Sequence, residues 1–210
     1  MRPVREILLL GVMAVGLGTI PAFAGQINFD SISTSSWTML PSNYDGFTWD
    51  SNWAVGSISW YDSTYDNTKS FPSNPNAAFN NGTTELGGVV QQDMFAPTPT
   101  VFTGAMFSTW DLFNLPYQGS ASSSITVQGW NGSTLEWTRS ENLSSNFTNL
   151  TFGSQPVTEL AFLNDGTAGH YWLVDNIDYS TVPEPTGLAL FGAGLLVLGA
   201  ALAIRRRRSA

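Results

Sequence analysis

The stretch SITVQGWNGSTLEWTR, residues 124–139, decides the fold class. Two segments of alternating apolar and polar residues flank Asn131-Gly132, and period-two alternation marks half-buried strands. Asn-Gly suits a two-residue hairpin loop because both central positions need positive φ. The turn is expected to set Ile125, Val127 and Gly129 against Leu135, Trp137 and Arg139.

Outward from this hairpin, short runs rich in β-branched and aromatic residues recur, separated by Gly, Asn, Pro and Ser. Strands are expected at Gln26–Ile32, Gly46–Trp49, Ser57–Tyr61, Ala77–Phe79, Val101–Ser108, Ser124–Trp130, Thr134–Arg139, Leu150–Phe152, Val157–Leu163 and Tyr171–Tyr179. The polar segment from Asp62 to Asn81, with Pro72 and Pro75, reads as a long irregular loop. No interior segment has helical periodicity. Ten short strands without a helix predict an all-β fold, a single jelly-roll-type β-sandwich.

Both ends differ from this domain. Residues 1–24 have the form of a signal peptide: Arg2 and Arg5, then the uncharged stretch Ile7–Ile20, then Ala22-Phe23-Ala24. Small residues at −3 and −1 predict cleavage between Ala24 and Gly25 by signal peptidase. At the other end, Val182-Pro183-Glu184-Pro185 leads into nineteen uncharged residues, Thr186–Ile204, and then Arg205-Arg206-Arg207-Arg208. As a helix those nineteen residues span roughly 28 Å, about one hydrocarbon thickness. The arginine cluster should stay cytoplasmic, leaving the body of the chain across the inner membrane.

Residues 183–208 resemble the PEP-CTERM sorting signal, which joins Pro-Glu-Pro, a short transmembrane helix and a terminal arginine cluster. The resemblance implies handling by exosortase in a Gram-negative bacterium, with cleavage at or near Pro183–Pro185. An inner-membrane-anchored precursor would yield a mature protein at the cell surface or outside the cell. The expected organisation is therefore signal peptide 1–24, β-sandwich 25–182 and sorting signal 183–208.

Within 25–182, fourteen acidic side chains face only Lys69 and Arg139, a net −12. Such a surface repels nucleic acid, so nucleic-acid binding is excluded. Cysteine is absent, which excludes disulfides, thiolate zinc sites and thiol catalysis. All eight tryptophans and six tyrosines fall in this domain, a density suited to a core, a sugar-binding face or both.

A second resemblance, spread over Ile27–Asp30, Tyr44–Trp49, Ile125–Trp130 and Trp172–Ile177, is to jelly-roll domains of PEP-CTERM proteins and to galactose-binding-like carbohydrate-binding modules. It implies that the first and last strands lie side by side with a structural calcium nearby. Asp30 and Asp175 are the metal candidates, since calcium wants six to eight oxygens. Strict alternation puts Asn28 with Asp30 on one face and Asn176 with Asp178 on one face, but Asp175 on the other. Asp62, Asp66 and Asn67 form a second acidic cluster.

Trp49, Trp53, Trp60, Tyr61 and Tyr65 crowd together beside Asp50 and Asn52, and are the glycan-binding candidates. Catalysis has no constellation behind it. His170, the single histidine, follows a turn, and no Gly-x-Ser-x-Gly elbow exists. Five Asn-x-Ser/Thr sequons reflect a composition rich in those residues. The expectation is a non-enzymatic surface or matrix protein, associated with exopolysaccharide or biofilm. A secreted glycan-active hydrolase and an adhesive module binding other proteins are the alternatives.

Overall fold

The structure is a computed structural model that describes residues 24–65, 70–81, 90–110 and 120–181. Ala24–Val182 forms one compact unit. The expected signal peptide and sorting helix lie outside the described residues, as do Asp66, Asn67 and Lys69. No helix among the described residues is long and apolar enough to cross a membrane.

Among the described residues the unit has twelve strands and one short helix. In chain order they are β1 (Ala24–Ile27), β2 (Trp37–Met39), β3 (Asn43–Tyr44), β4 (Phe47–Trp49), β5 (Trp53–Ser57), α1 (Ile58–Tyr65), β6 (Asn76–Asn80) and β7 (Gln91–Thr109). There follow β8 (Ser124–Asn131), β9 (Thr134–Asn142), β10 (Thr148–Thr151), β11 (Val157–Leu163) and β12 (Trp172–Thr181). All twelve pair antiparallel, giving the expected all-β sandwich of jelly-roll type.

The ladder runs β2-β5-β6-β12-β7-β11-β8-β9, and the nineteen-residue β7 links its two halves. Its first half pairs with β4 and β11, its second with β12 and β10. The turnover falls at Pro97 and Pro99. The β11 partner jumps there from Thr100 to Phe95, leaving the prolines outside the ladder, where their missing N–H groups cost nothing. β1 lies against β12, so the first and last strands are neighbours, as the resemblance implied.

The core between the halves is aromatic. Trp53 is fully buried and meets Trp49, Phe162 and Trp172 edge-on at 4.9, 5.2 and 5.4 Å. A smaller cluster occupies the other face of β5 and β6, where Tyr61, Phe71, Phe79 and Trp110 pack together. Trp137 lies flat across two glycines, and a Cβ on Gly129 would come within 2.2 Å of its ring. Phe152 stacks on the ring at 5.4 Å.

Three local expectations need correction. Ser57–Tyr61 is not a strand: β5 ends at Ser57, whose hydroxyl accepts the Trp60 N–H at 3.3 Å and caps α1. The expected irregular stretch from Asp62 to Asn81 accordingly holds the end of α1 and all of β6. In the hairpin, the loop residues are Gly132 and Ser133, because Asn131 stays paired with Thr134; Gly132 takes φ +58°. A bulge at Glu136 then shifts the register, so Trp130 opposes Leu135 while Gly129 opposes Trp137 and Val127 opposes Arg139.

Candidate functional site

Two regions of the sandwich, one buried and one exposed, gather polar and ionisable groups. The first lies where β12 meets the segment before β6. Asp175 is fully buried, and its carboxylate accepts the Ser73 N–H at 2.8 Å, the Ser73 hydroxyl at 2.9 Å and the Asn176 N–H at 2.8 Å. Burial pushes its pKa up; those hydrogen bonds oppose the rise, and the negative charge of Asp30 adds to it. The outcome is a carboxyl raised to about 6.

Strict alternation had separated Asp175 from Asn176, and a bulge overturns that expectation. Asn176 adopts φ +51°, and Val174 and Ile177, three residues apart, both face the core. Asp175 and Asn176 therefore both fall between two core-facing positions. Asp30 joins them through Asn76, whose backbone N–H donates to the Asp30 carboxylate at 3.3 Å. Asn76 is itself fully buried and holds the turn after β1, donating to the Phe29 and Ile32 carbonyls at 3.0 and 2.8 Å. Asn28 and Asp178 are engaged elsewhere, in contacts to Asp30 N–H and to Gln26.

The amide oxygens of Asn76 and Asn176 are buried without a hydrogen-bond partner. Orphaned acceptors of this kind carry a desolvation cost, which a cation would offset. Carboxylate and amide oxygens are of the hard-donor type that calcium prefers. Among the described residues no three acidic, histidine or cysteine side chains gather at one point. Amide and backbone oxygens would have to complete such a shell.

The second region is the outward face of β4, β7, β11, β8 and β9. Thr48, Phe95, Glu159, Trp130 and Leu135 stand directly opposite one another in a row across these five strands. Phe95 and Leu135 are 38% and 44% exposed. The indole N–H of Trp130 donates to Gln128 Oε1 at 3.2 Å. The next row is Asp93, Ala161, Gln128 and Thr138, with Ala161 covered by its longer neighbours. Asp50 borders it, accepting the Asp93 N–H at 2.8 Å. Burial raises the pKa of both Asp50 and Glu159, and the Asp93 charge contributes to each.

This face is not the one read from the sequence. Trp49 and Trp53, at 2% and 0% exposure, belong to the main core and donate their indole N–H groups to the Tyr44 and Asp93 carbonyls. Tyr61 is 1% exposed in the second cluster, and half-buried Trp60 stacks on Phe79 at 6.3 Å. The Tyr65 side chain is outside the described residues. Crowding in sequence failed as a guide because α1 turns these rings into two different cores. Alternation around Trp130 carried the better signal, since its parity opposes that of Ile125 and Val127.

His170 forms a clasp with Asp165. Its Nδ1 meets Asp165 at 2.8 Å, and the Ser123 hydroxyl donates to that same carboxylate at 3.1 Å. The serine thus bonds the acid and not the imidazole, the wrong partner for nucleophilic activation. Burial pushes Asp165 up, but bonds from Ser123, His170 and Thr167 prevail and lower it to about 2.

No curated protein is similar in sequence to the chain. Among solved structures it is similar to the K2 cleaved adhesin domain of Lys-gingipain, at 12% identity over 76% of this chain and 100% of that one, TM-score 0.44. It is also similar to a family 29 carbohydrate-binding module from Piromyces equi, at 11% identity over 78% and 93%, TM-score 0.40. These likenesses are distant, and nothing about ligand or activity rests on them. Residues 181–208 match the PEP-CTERM protein-sorting motif, so the chain carries the tail of an exported, membrane-anchored precursor processed by exosortase.

Proposed function

We propose that the mature protein is a non-enzymatic surface protein of a Gram-negative bacterium that associates with extracellular polysaccharide through its open sheet face. Signal peptidase and exosortase would remove the two ends, with the inner membrane as a transient station. The observation that carries this reading is the row Phe95, Glu159, Trp130 and Leu135. Flat apolar side chains suit the faces of sugar rings. Asp93, Gln128, Thr126 and Thr138 on the neighbouring positions offer acceptors and donors to hydroxyls.

Calcium enters the same proposal as a brace. Asp30, Asp175, Asn76 and Asn176 would hold it, tying the turn after β1 to the bulge of β12. Its contribution is structural charge compensation, remote in sequence from the row on β7, β11, β8 and β9.

Affinity electrophoresis of residues 25–182 through gels containing the host exopolysaccharide tests the reading. Retardation that Trp130→Ala and Phe95→Ala abolish is the expected result. Unchanged mobility of the wild-type protein, with calcium and with chelator, would overturn it.

A further inference from the structure

Among the described residues, the open face is charged in one sense only. Asp50, Asp93 and Glu159 lie on it or at its border. Arg139, the described arginine, opposes Val127 and so belongs to the other side of β9. His170 is committed to Asp165. Glu159 stands between Phe95 on β7 and Trp130 on β8, each its direct cross-strand neighbour. Direct neighbours have Cβ atoms about 4.5–5.5 Å apart, so both rings are within reach of whatever binds the carboxylate.

That arrangement selects by charge. A polymer of uronic acids meets only repulsion from the three carboxylates. A neutral polymer gains stacking but leaves the carboxylates uncompensated. An ammonium group placed on Glu159 gains an ion pair, and an aromatic ring on either side adds cation–π attraction. Asp93 acts on both Asp50 and Glu159, so one cation compensates several interacting negative charges.

We infer that the open face binds a polysaccharide bearing free amino groups, the ammonium resting on Glu159 between Phe95 and Trp130. The inference rests on the glycan-binding reading of the same face and adds the chemical class of the sugar.

The test is calorimetric titration of the full chain, in detergent, with three hexasaccharides at slightly acidic pH: β-1,4-glucosamine, its N-acetylated form and a polyuronate. The glucosamine hexamer is expected to bind tightest and the polyuronate not at all. Glu159→Gln, which keeps shape and removes charge, should weaken glucosamine binding about tenfold while sparing the acetylated hexamer. Trp130→Ala should weaken both. Glu141→Gln removes an equal charge from the edge strand β9, opposite core-facing Ile125, and should change neither. Equal affinity for the two hexamers, with Trp130→Ala still damaging, would overturn the amino-sugar inference and leave glycan binding standing. Tight glucosamine binding indifferent to Glu159→Gln and Trp130→Ala would overturn both, assigning the attraction to net charge. A lysine hexapeptide bound as tightly, with the same dependence on Glu159, would replace the sugar with a cationic peptide.

Discussion

Asp175 offers the sharpest test of the buried cluster, because its ionisation opposes folding. Its carboxyl titrates at about 6 in the folded protein against an ordinary value of 3.8. The folded state therefore holds the proton over a pH range in which the unfolded chain has lost it. Stability from this group is fully present below pH 3.8, falls as pH rises towards 6, and is level above. A shift of about two units corresponds to about 3 kcal/mol, a large share of the 5–15 kcal/mol typical of a domain. The raised carboxyls of Asp45, Asp50 and Glu159 act in the same direction, so the isolating perturbation is Asp175→Asn.

Urea midpoints at pH 4.5 and pH 7.5, in chelator, measure the effect. Wild-type protein should lose stability between the two, and the variant should lose about 2 kcal/mol less, because part of the ~3 kcal/mol is already lost below pH 4.5. Calcium should reverse the wild-type loss, since a bound cation favours the ionised carboxylate. At a hundredfold excess over its dissociation constant it adds about 2.7 kcal/mol. An unaltered pH profile in Asp175→Asn would refute the assignment of the buried charge. Calcium that stabilises the variant as much as the wild type would refute the cation site.

Gly129→Ala should destabilise the domain by about 1–3 kcal/mol in urea unfolding, because the new methyl lies 2.2 Å from the Trp137 ring. Mass spectrometry of the protein recovered from the cell surface should find a C-terminus near Pro183–Pro185 and an N-terminus at Gly25. Intact Arg205–Arg208 in that material would contradict sorting through the motif at 181–208.

The sequence alone determined the all-β class, because period-two alternation and turn residues are local and survive any packing. It also marked the C-terminal tail, where Pro-Glu-Pro, an uncharged stretch and four arginines are contiguous. That the first and last strands adjoin was expected, and β1 does lie on β12, although Asp30 falls in the turn beyond the end of β1.

What the sequence could not show depends on departures from regularity. The bulge at Asn176 breaks alternation, placing Asp175 and Asn176 together where counting by twos had separated them. The cap at Ser57 converts an expected strand into α1, sending Trp60 and Tyr61 into one cluster while Trp49 and Trp53 enter another. The open face exists only through register: Phe95, Glu159, Trp130 and Leu135 lie far apart in the chain and meet as neighbours through ladder hydrogen bonds. Local sequence fixes which way a side chain alternates, but a single inserted residue inverts that parity, and only the paired strand determines which residues become neighbours.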